Sequence, residues 1–247
     1  MTKTLRFALA APLALALTAC GSDTADTGGK IEGEAVAAVP APEGTQWSDT
    51  VTVTDMDGYM IGNPDAPIKL VEYASLTCPT CARFAAEGME PLISEYVNSG
   101  RVSFELRNQI HGPHDLALAT LVRCTADEAF IPLSDQVFAN QQQVLGPIFE
   151  NQAAVEQSLN LPPEQRLVRL AEVGGFYDFF AARGLSEDQA RECLADEQAY
   201  TTIADNSTRQ SEELNITGTP TFLINGTAAD ANTWAALEPI LQRAGAR

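Results

Sequence analysis

The chain sets two cysteines three positions apart at a point where the backbone period changes, and few folds accommodate that. Residues 68–73 read as a buried strand. Cys78-Pro79-Thr80-Cys81 follows, and then Phe84, Ala85, Met89, Leu92, Ile93, Tyr96 and Val97 recur at helical spacing up to Gly100, a suitable residue just past a helix end. Strand, cysteine pair and helix in direct succession put both sulfurs at a helix N-terminus. Unpaired N–H groups and the positive end of the helix dipole stabilise a thiolate there. Cys78, at the opening, is expected to be the exposed, acidic nucleophile. Cys81, at i+3 on the same face, is expected to be the shielded resolving thiol. Pro79 and Thr80 lie between the two sulfurs, where Thr80 can offer a hydroxyl hydrogen bond but no positive charge. Pro91 is expected to bend the helix, because it lacks an N–H and its ring meets the preceding turn.

Downstream, residues 102–106 alternate apolar and polar, which predicts a strand with one covered face. His111-Gly112-Pro113 breaks that pattern, and no strand is expected again before about residue 215. Helices are predicted over about 115–126, 133–144, 163–172, 175–183 and 198–214. Ser186-Glu187-Asp188-Gln189 resembles a capping box opening one more, which carries Cys193. Extended structure returns over 219–224, turns at Asn225-Gly226, and yields to a last helix over about 232–244. This order is that of an α/β domain, 49–112 and 201–247, interrupted by a helical insertion, 113–200.

At the N-terminus, Lys3 and Arg6 precede an apolar stretch, 7–17, too short to span a bilayer and shaped like a secretory signal. It ends in Leu17-Thr18-Ala19-Cys20-Gly21, which resembles the lipobox of bacterial lipoproteins. That implies a signal peptide over 1–19 and lipid attached to Cys20; the alternative is an ordinary signal peptide with an incidental cysteine. Each buried lipid CH₂ contributes about 0.8 kcal/mol, so a multiply acylated terminus would hold to a membrane. Residues 20–48 carry Gly28-Gly29, Pro40, Pro42 and Gly44 with few large apolar side chains, and are expected to form a disordered tether reaching roughly 30 Å. The charge is −18, with 33 acidic against 15 basic residues, which makes nucleic acid and anionic headgroups poor partners.

Export permits stable disulfides. With Cys20 lipidated, four cysteines allow three connectivities. Pairing Cys78 with Cys81 and Cys124 with Cys193 keeps the local pair free to cycle; two separate buried thiols at 124 and 193 are the alternative. The Cys124–Cys193 bridge would close a loop of about 70 residues, worth on the order of 4 kcal/mol. The same local pair is also half a zinc site, which the two histidines, His111 and His114, could complete. Export and the strand-to-helix setting favour plain loop and helix-entry roles for those histidines.

Cys78-Pro79-Thr80-Cys81 after a buried strand, together with Gly218-Thr219-Pro220-Thr221-Phe222 entering a later one, resembles the DsbA family of thiol:disulfide oxidoreductases over about residues 55–247. The resemblance implies a thioredoxin-like fold with an inserted helical domain, and dithiol–disulfide exchange needing no cofactor beyond the redox-active disulfide and no metal. Glu72, the odd residue of its apolar strand, would be the buried acid that exchanges a proton with Cys81; a strand-end glutamate reaching solvent is the plainer reading. Thr219-Pro220 would be a cis bond exposing Thr219 backbone groups to a client strand. Partners would be reduced exported proteins and a DsbB-type membrane reoxidant, in the bacterial periplasm on a lipid anchor. Pro-Thr stands where strongly oxidising members carry Pro-His, so a weaker oxidant is expected. The same fold run as a reductase or isomerase, and a lipoprotein that binds peptides without turnover, are the other readings.

Overall fold

The computed structural model describes residues 30–247. The expected signal peptide, the Cys20 lipidation site and the start of the tether lie outside the described residues. Six strands form one sheet: β1 (Val51–Val53), β2 (Tyr59–Ile61), β3 (Ile68–Ala74), β4 (Val102–Asn108), β5 (Thr221–Ile224) and β6 (Thr227–Ala229), in the order β1-β2-β4-β3-β5-β6. Only β3 and β4 run parallel. A parallel pair needs a long crossover, which α1 (Pro79–Pro91) and the π-helical stretch Leu92–Val97 supply. The change of helix type falls just after Pro91, where a backbone donor is missing.

Leu70, Ala74, Phe104, Leu106 and Phe222 belong to the main apolar core, together with Phe84 of α1 and Leu237 of α10 (Trp234–Arg243). Phe84 and Phe222 bring their ring centroids to 4.6 Å. On the other face of β3, Val71 and Tyr73 join Leu223 and Ile216 in a smaller cluster. The Tyr73 hydroxyl donates to Gln210 of α9 (Glu197–Leu214) at 2.9 Å. The expectation of one covered face for β4 is therefore corrected. Ser103 and Glu105 are buried as well, the Glu105 carboxylate because Arg107 pairs with it at 2.6 Å and Thr54 donates to it at 2.6 Å. A buried charge persists when it is paired in this way.

Between β4 and α9 lie α2 (Pro113–Arg123), α3 (Phe130–Ala139), α4 (Gln141–Glu150), α5 (Gln152–Leu159), α6 (Pro163–Gly174), α7 (Phe176–Ala181) and α8 (Glu187–Ala195). The single helix expected over 133–144 is two, α3 and α4, meeting at Asn140. The Asn140 amide donates to the Gln136 carbonyl at 2.8 Å, a local bond that competes with continued helix. Ser186 caps α8 as its spacing predicts, accepting from Gln189 N. Cys124, at the end of α2, and Cys193 of α8 are joined by a disulfide with Cα atoms 6.1 Å apart.

The expectation of a disordered tether up to residue 48 is corrected over its described part. Gly33 N donates to Arg243 O at 2.8 Å, Val36 N to Gly245 O at 2.9 Å and Val39 N to Ser99 O at 2.9 Å. Arg101 Nε reaches Val36 O at 2.7 Å, and Trp47 Nε1 reaches Val39 O at 2.7 Å. This strap has no core of its own; its backbone finds partners on the body instead. Glycines at both sides permit the approach, since a Cβ on Gly33 or Gly245 would collide with backbone of the facing segment.

Candidate active site

β3 delivers the chain to the site. Ser75 to Thr77 turn out of the sheet, and Cys78 becomes the N-cap of α1 with extended dihedrals, φ −82° and ψ 120°. Pro79 takes the first helical position, where its missing N–H costs nothing. Cys81 is fully buried one turn in, Cys78 is half-buried, and both are free thiols. The helix-mouth geometry expected from the sequence is thus present.

The two sulfurs have opposite acidities. A hydrogen bond from Cys81 pulls Cys78 down to about 4, with burial opposing and the Thr219 side chain and the backbone N–H groups of Cys81 and Thr80 assisting. Thr80 acts through its backbone here. Cys81 is pushed far up, first because it gives its proton toward Cys78, then by burial and by the nearby Glu72 charge. The pair thus holds one thiolate, on the outer sulfur, and one proton, on the inner.

Glu72 is 2 % exposed, and its Oε1 has no hydrogen-bond partner. Its position in β3 sets it opposite Leu106 and Phe222. Burial, then the Asp135 and Cys78 charges, raise its pKa well above the ordinary carboxylate range. The strand-end reading in which Glu72 reaches solvent is excluded by that burial. Thr219-Pro220 is a cis bond, and the Thr219 carbonyl lies 3.3 Å from Cys78 Sγ. Every residue of the expected dithiol site is therefore drawn together: Cys78, Cys81, Pro79, Thr80, Glu72, Thr219 and Pro220.

Four further side chains shape the site and were not expected to. Gln141, at the start of α4, donates from Nε2 to the carbonyls of both Leu76 and Cys78 at 3.0 Å. Asp115, 1 % exposed, accepts from Leu76 N at 3.0 Å and from His111 N at 2.9 Å; burial raises its pKa to about 6. Asp135 of α3 is raised to about 7 by burial. His111 Nε2 lies 3.4 Å from the Thr219 hydroxyl. No local sequence sign marks these side chains, since the partners that hold them are remote in sequence.

Beside Pro79, a cleft of about 310 Å³ is lined by Thr77, Pro79, Gln141, Gln142, Leu145 and Phe149, with Phe149 58 % exposed. Its walls are apolar side chains and glutamine amides, suited to a polypeptide strand. The ring of His114 sits edge-on to that of Phe149 with centroids 6.3 Å apart. Among the described residues, no three His, Cys, Asp or Glu side chains gather as a metal-ligand set.

A sheet that feeds a helix-mouth dithiol opposite a cis-proline loop defines a class of redox protein. The chain belongs to the thioredoxin family, whose sequence profile matches residues 54–243. The crystal structure of protein-disulfide isomerase from Novosphingobium aromaticivorans superposes with a TM-score of 0.72 at 33 % identity, covering 76 % of this chain and 97 % of that one. Wolbachia pipientis alpha-DsbA1 shares the fold, with a TM-score of 0.61 at 21 % identity over 75 % of this chain and 90 % of that one. A Rickettsia bellii protein provisionally named a protein-disulfide oxidoreductase is 24 % identical over 172 residues, which are 70 % of this chain and 58 % of the relative. The chain thus spans little more than half the length of that curated relative.

Proposed function

We propose that this protein is an extracytoplasmic thiol-disulfide oxidoreductase that donates disulfides to exported proteins. The observation that carries this reading is the split acidity of Cys78 and Cys81. A reduced pair that rests as a stabilised thiolate has little tendency to be oxidised, so its disulfide is readily surrendered. A client thiolate attacks Cys78 of the disulfide, the S–S bond breaks, and Cys81 leaves. Cys81 is a poor thiolate and needs a proton at that moment, which the high-pKa carboxyl of Glu72 supplies. A second client thiolate then attacks the client sulfur of the mixed disulfide and expels Cys78 as its thiolate. The client loses two electrons, and the Cys78–Cys81 pair gains them.

The Thr219 backbone, next to Cys78, is where an extended client segment would pair. No cofactor beyond the disulfide enters this chemistry. A quinone-linked membrane protein of the DsbB type is the reoxidant this cycle requires, and the lipobox at Cys20 would hold the enzyme near it. Among the described residues no helix is long and apolar enough to cross a membrane.

Similarity to a protein titled a disulfide isomerase supports a second reading, in which the same site reduces or reshuffles bonds. Thiol trapping in cells separates the two. A Cys78–Cys81 pair found mostly oxidised supports donation; a pair found mostly reduced supports the isomerase and overturns the first reading. Oxidative refolding of a reduced client, lost in Cys78→Ser, distinguishes either from a lipoprotein that only binds peptides.

A further inference from the structure

The Thr219 hydroxyl stands between two groups that compete for its single proton. On one side is Cys78, whose Sγ lies 3.3 Å from the carbonyl oxygen of the same threonine and whose thiolate the Thr219 side chain helps stabilise. On the other is His111 Nε2, 3.4 Å from Oγ1. A hydroxyl donates once but accepts twice. If Nε2 carries no proton, it draws the hydroxyl proton toward itself and away from the sulfur. If Nε2 is protonated, it donates to Oγ1 and leaves the hydroxyl proton to Cys78.

The backbone that carries the imidazole is held in place independently of that contact. His111 N donates to Asp115 Oδ2 at 2.9 Å, while Asp115 Oδ1 accepts from Leu76 N at 3.0 Å, two residues before Cys78. One buried carboxylate therefore sets the His111 loop and the Cys78 loop in register. Two ionisable groups bear on the ring: Asp115, whose own acidity the His111 charge increases, and Cys78 across Thr219.

We propose that His111 is a positioning residue for the active thiolate, orienting the Thr219 hydroxyl toward Cys78 by donating to it from Nε2. Pro-Thr places no cation beside the nucleophile; the His111 imidazole bears on it from across the cis-proline loop, through the Thr219 hydroxyl. The inference deepens the dithiol chemistry proposed above and depends on that reading for its effect on potential, but not for its effect on acidity.

The test is titration of the Cys78 thiolate by its ultraviolet absorbance in the reduced full chain, comparing wild type with His111→Ala, His111→Gln, Thr219→Val and the His111→Ala/Thr219→Val double variant. Loss of about one neutral hydrogen bond's worth of stabilisation makes Cys78 roughly fivefold less acidic in His111→Ala. The same change lowers the reduction potential by about 20 mV, as tenfold corresponds to about 30 mV. His111→Gln, whose amide can donate to Oγ1, restores the acidity. In the Thr219→Val background, His111→Ala has no further effect. Wild-type acidity in His111→Ala overturns the proposal, as does a full effect that persists without the Thr219 hydroxyl. Absence of disulfide exchange in the wild type would instead sink the functional reading and leave the thiolate titration interpretable.

Discussion

Reduction of the Cys78–Cys81 bond should make stability climb with pH in a way the oxidised protein does not share. In the reduced fold Cys78 ionises at about 4, whereas a thiol in an unfolded chain ionises near about 8.5. A folded value below the unfolded one contributes stability that is complete above about pH 8.5 and is lost as pH falls through about 4. Near pH 7 the fold keeps the thiolate and the unfolded chain the thiol, a difference of about 4 kcal/mol at about 1.36 kcal/mol per tenfold. Cys78 is only half-buried, so solvent screening brings the expected gain to about 2–4 kcal/mol. Cys81 adds no slope, because it stays a thiol in both states over this range. The disulfide contributes a pH-independent term of about 2 kcal/mol by closing a four-residue loop. The assay is urea unfolding of fully reduced and fully oxidised protein at constant ionic strength from about pH 4.5 to 8. The reduced-minus-oxidised difference should rise by at least about 2 kcal/mol across that range, and the stability of Cys78→Ser, which has no thiolate at this position, should track that of the oxidised protein with pH instead of climbing above it. A difference flat to within about 0.5 kcal/mol would refute the assigned acidity and, with it, the thermodynamic case for disulfide donation.

Glu72→Gln should stabilise the fold near pH 7 by about 1–3 kcal/mol, because the buried carboxyl must be held protonated there while the unfolded one ionises, and should slow exchange by about tenfold or more; melting temperature and stopped-flow reduction by a dithiol read the two effects. The wild-type penalty at Glu72 vanishes below about pH 4.3, where the unfolded carboxyl is protonated too, so the two proteins should converge in stability on acidification. Gln141→Leu leaves the Leu76 and Cys78 carbonyls without their donor; about 1–3 kcal/mol of stability should be lost, and the rate of mixed-disulfide formation should fall more than its equilibrium position. Cys124→Ser/Cys193→Ser should cost about 4 kcal/mol by urea unfolding while exchange at Cys78 continues at temperatures where the variant stays folded.

The parts of this fold that could be read in advance are those whose reasons are local in sequence. The apolar run of β3, the helical period after Cys81 and the Ser186 capping box each state their structure within a few residues. Glu72 stood out because it interrupts an apolar strand. β1, β2 and β6 are three residues each, too short to show any alternation, and they exist because neighbouring strands pair with them. The split between α3 and α4 depends on one asparagine amide, and the seating of the strap on backbone partners far along the chain. Gln141, Asp115 and His111 were hidden for the same reason. The partners that give them meaning lie 63, 39 and 108 positions away, and a glutamine, an aspartate or a histidine in a helical or loop setting has no local mark of that reach.

The Cys124–Cys193 bond joins α2 to α8, so both of its ends lie in the helical block, and it does not staple that block to the sheet. Two redox couples thus share one molecule with separate mechanical consequences. Breaking the inner couple frees a four-residue loop and places a charge at the mouth of α1, while breaking the outer one loosens the block that carries Gln141. A milieu reducing enough to open the Cys124–Cys193 bond would thereby detune the Cys78 loop from a distance, through slackened support, after the Cys78–Cys81 bond has already opened.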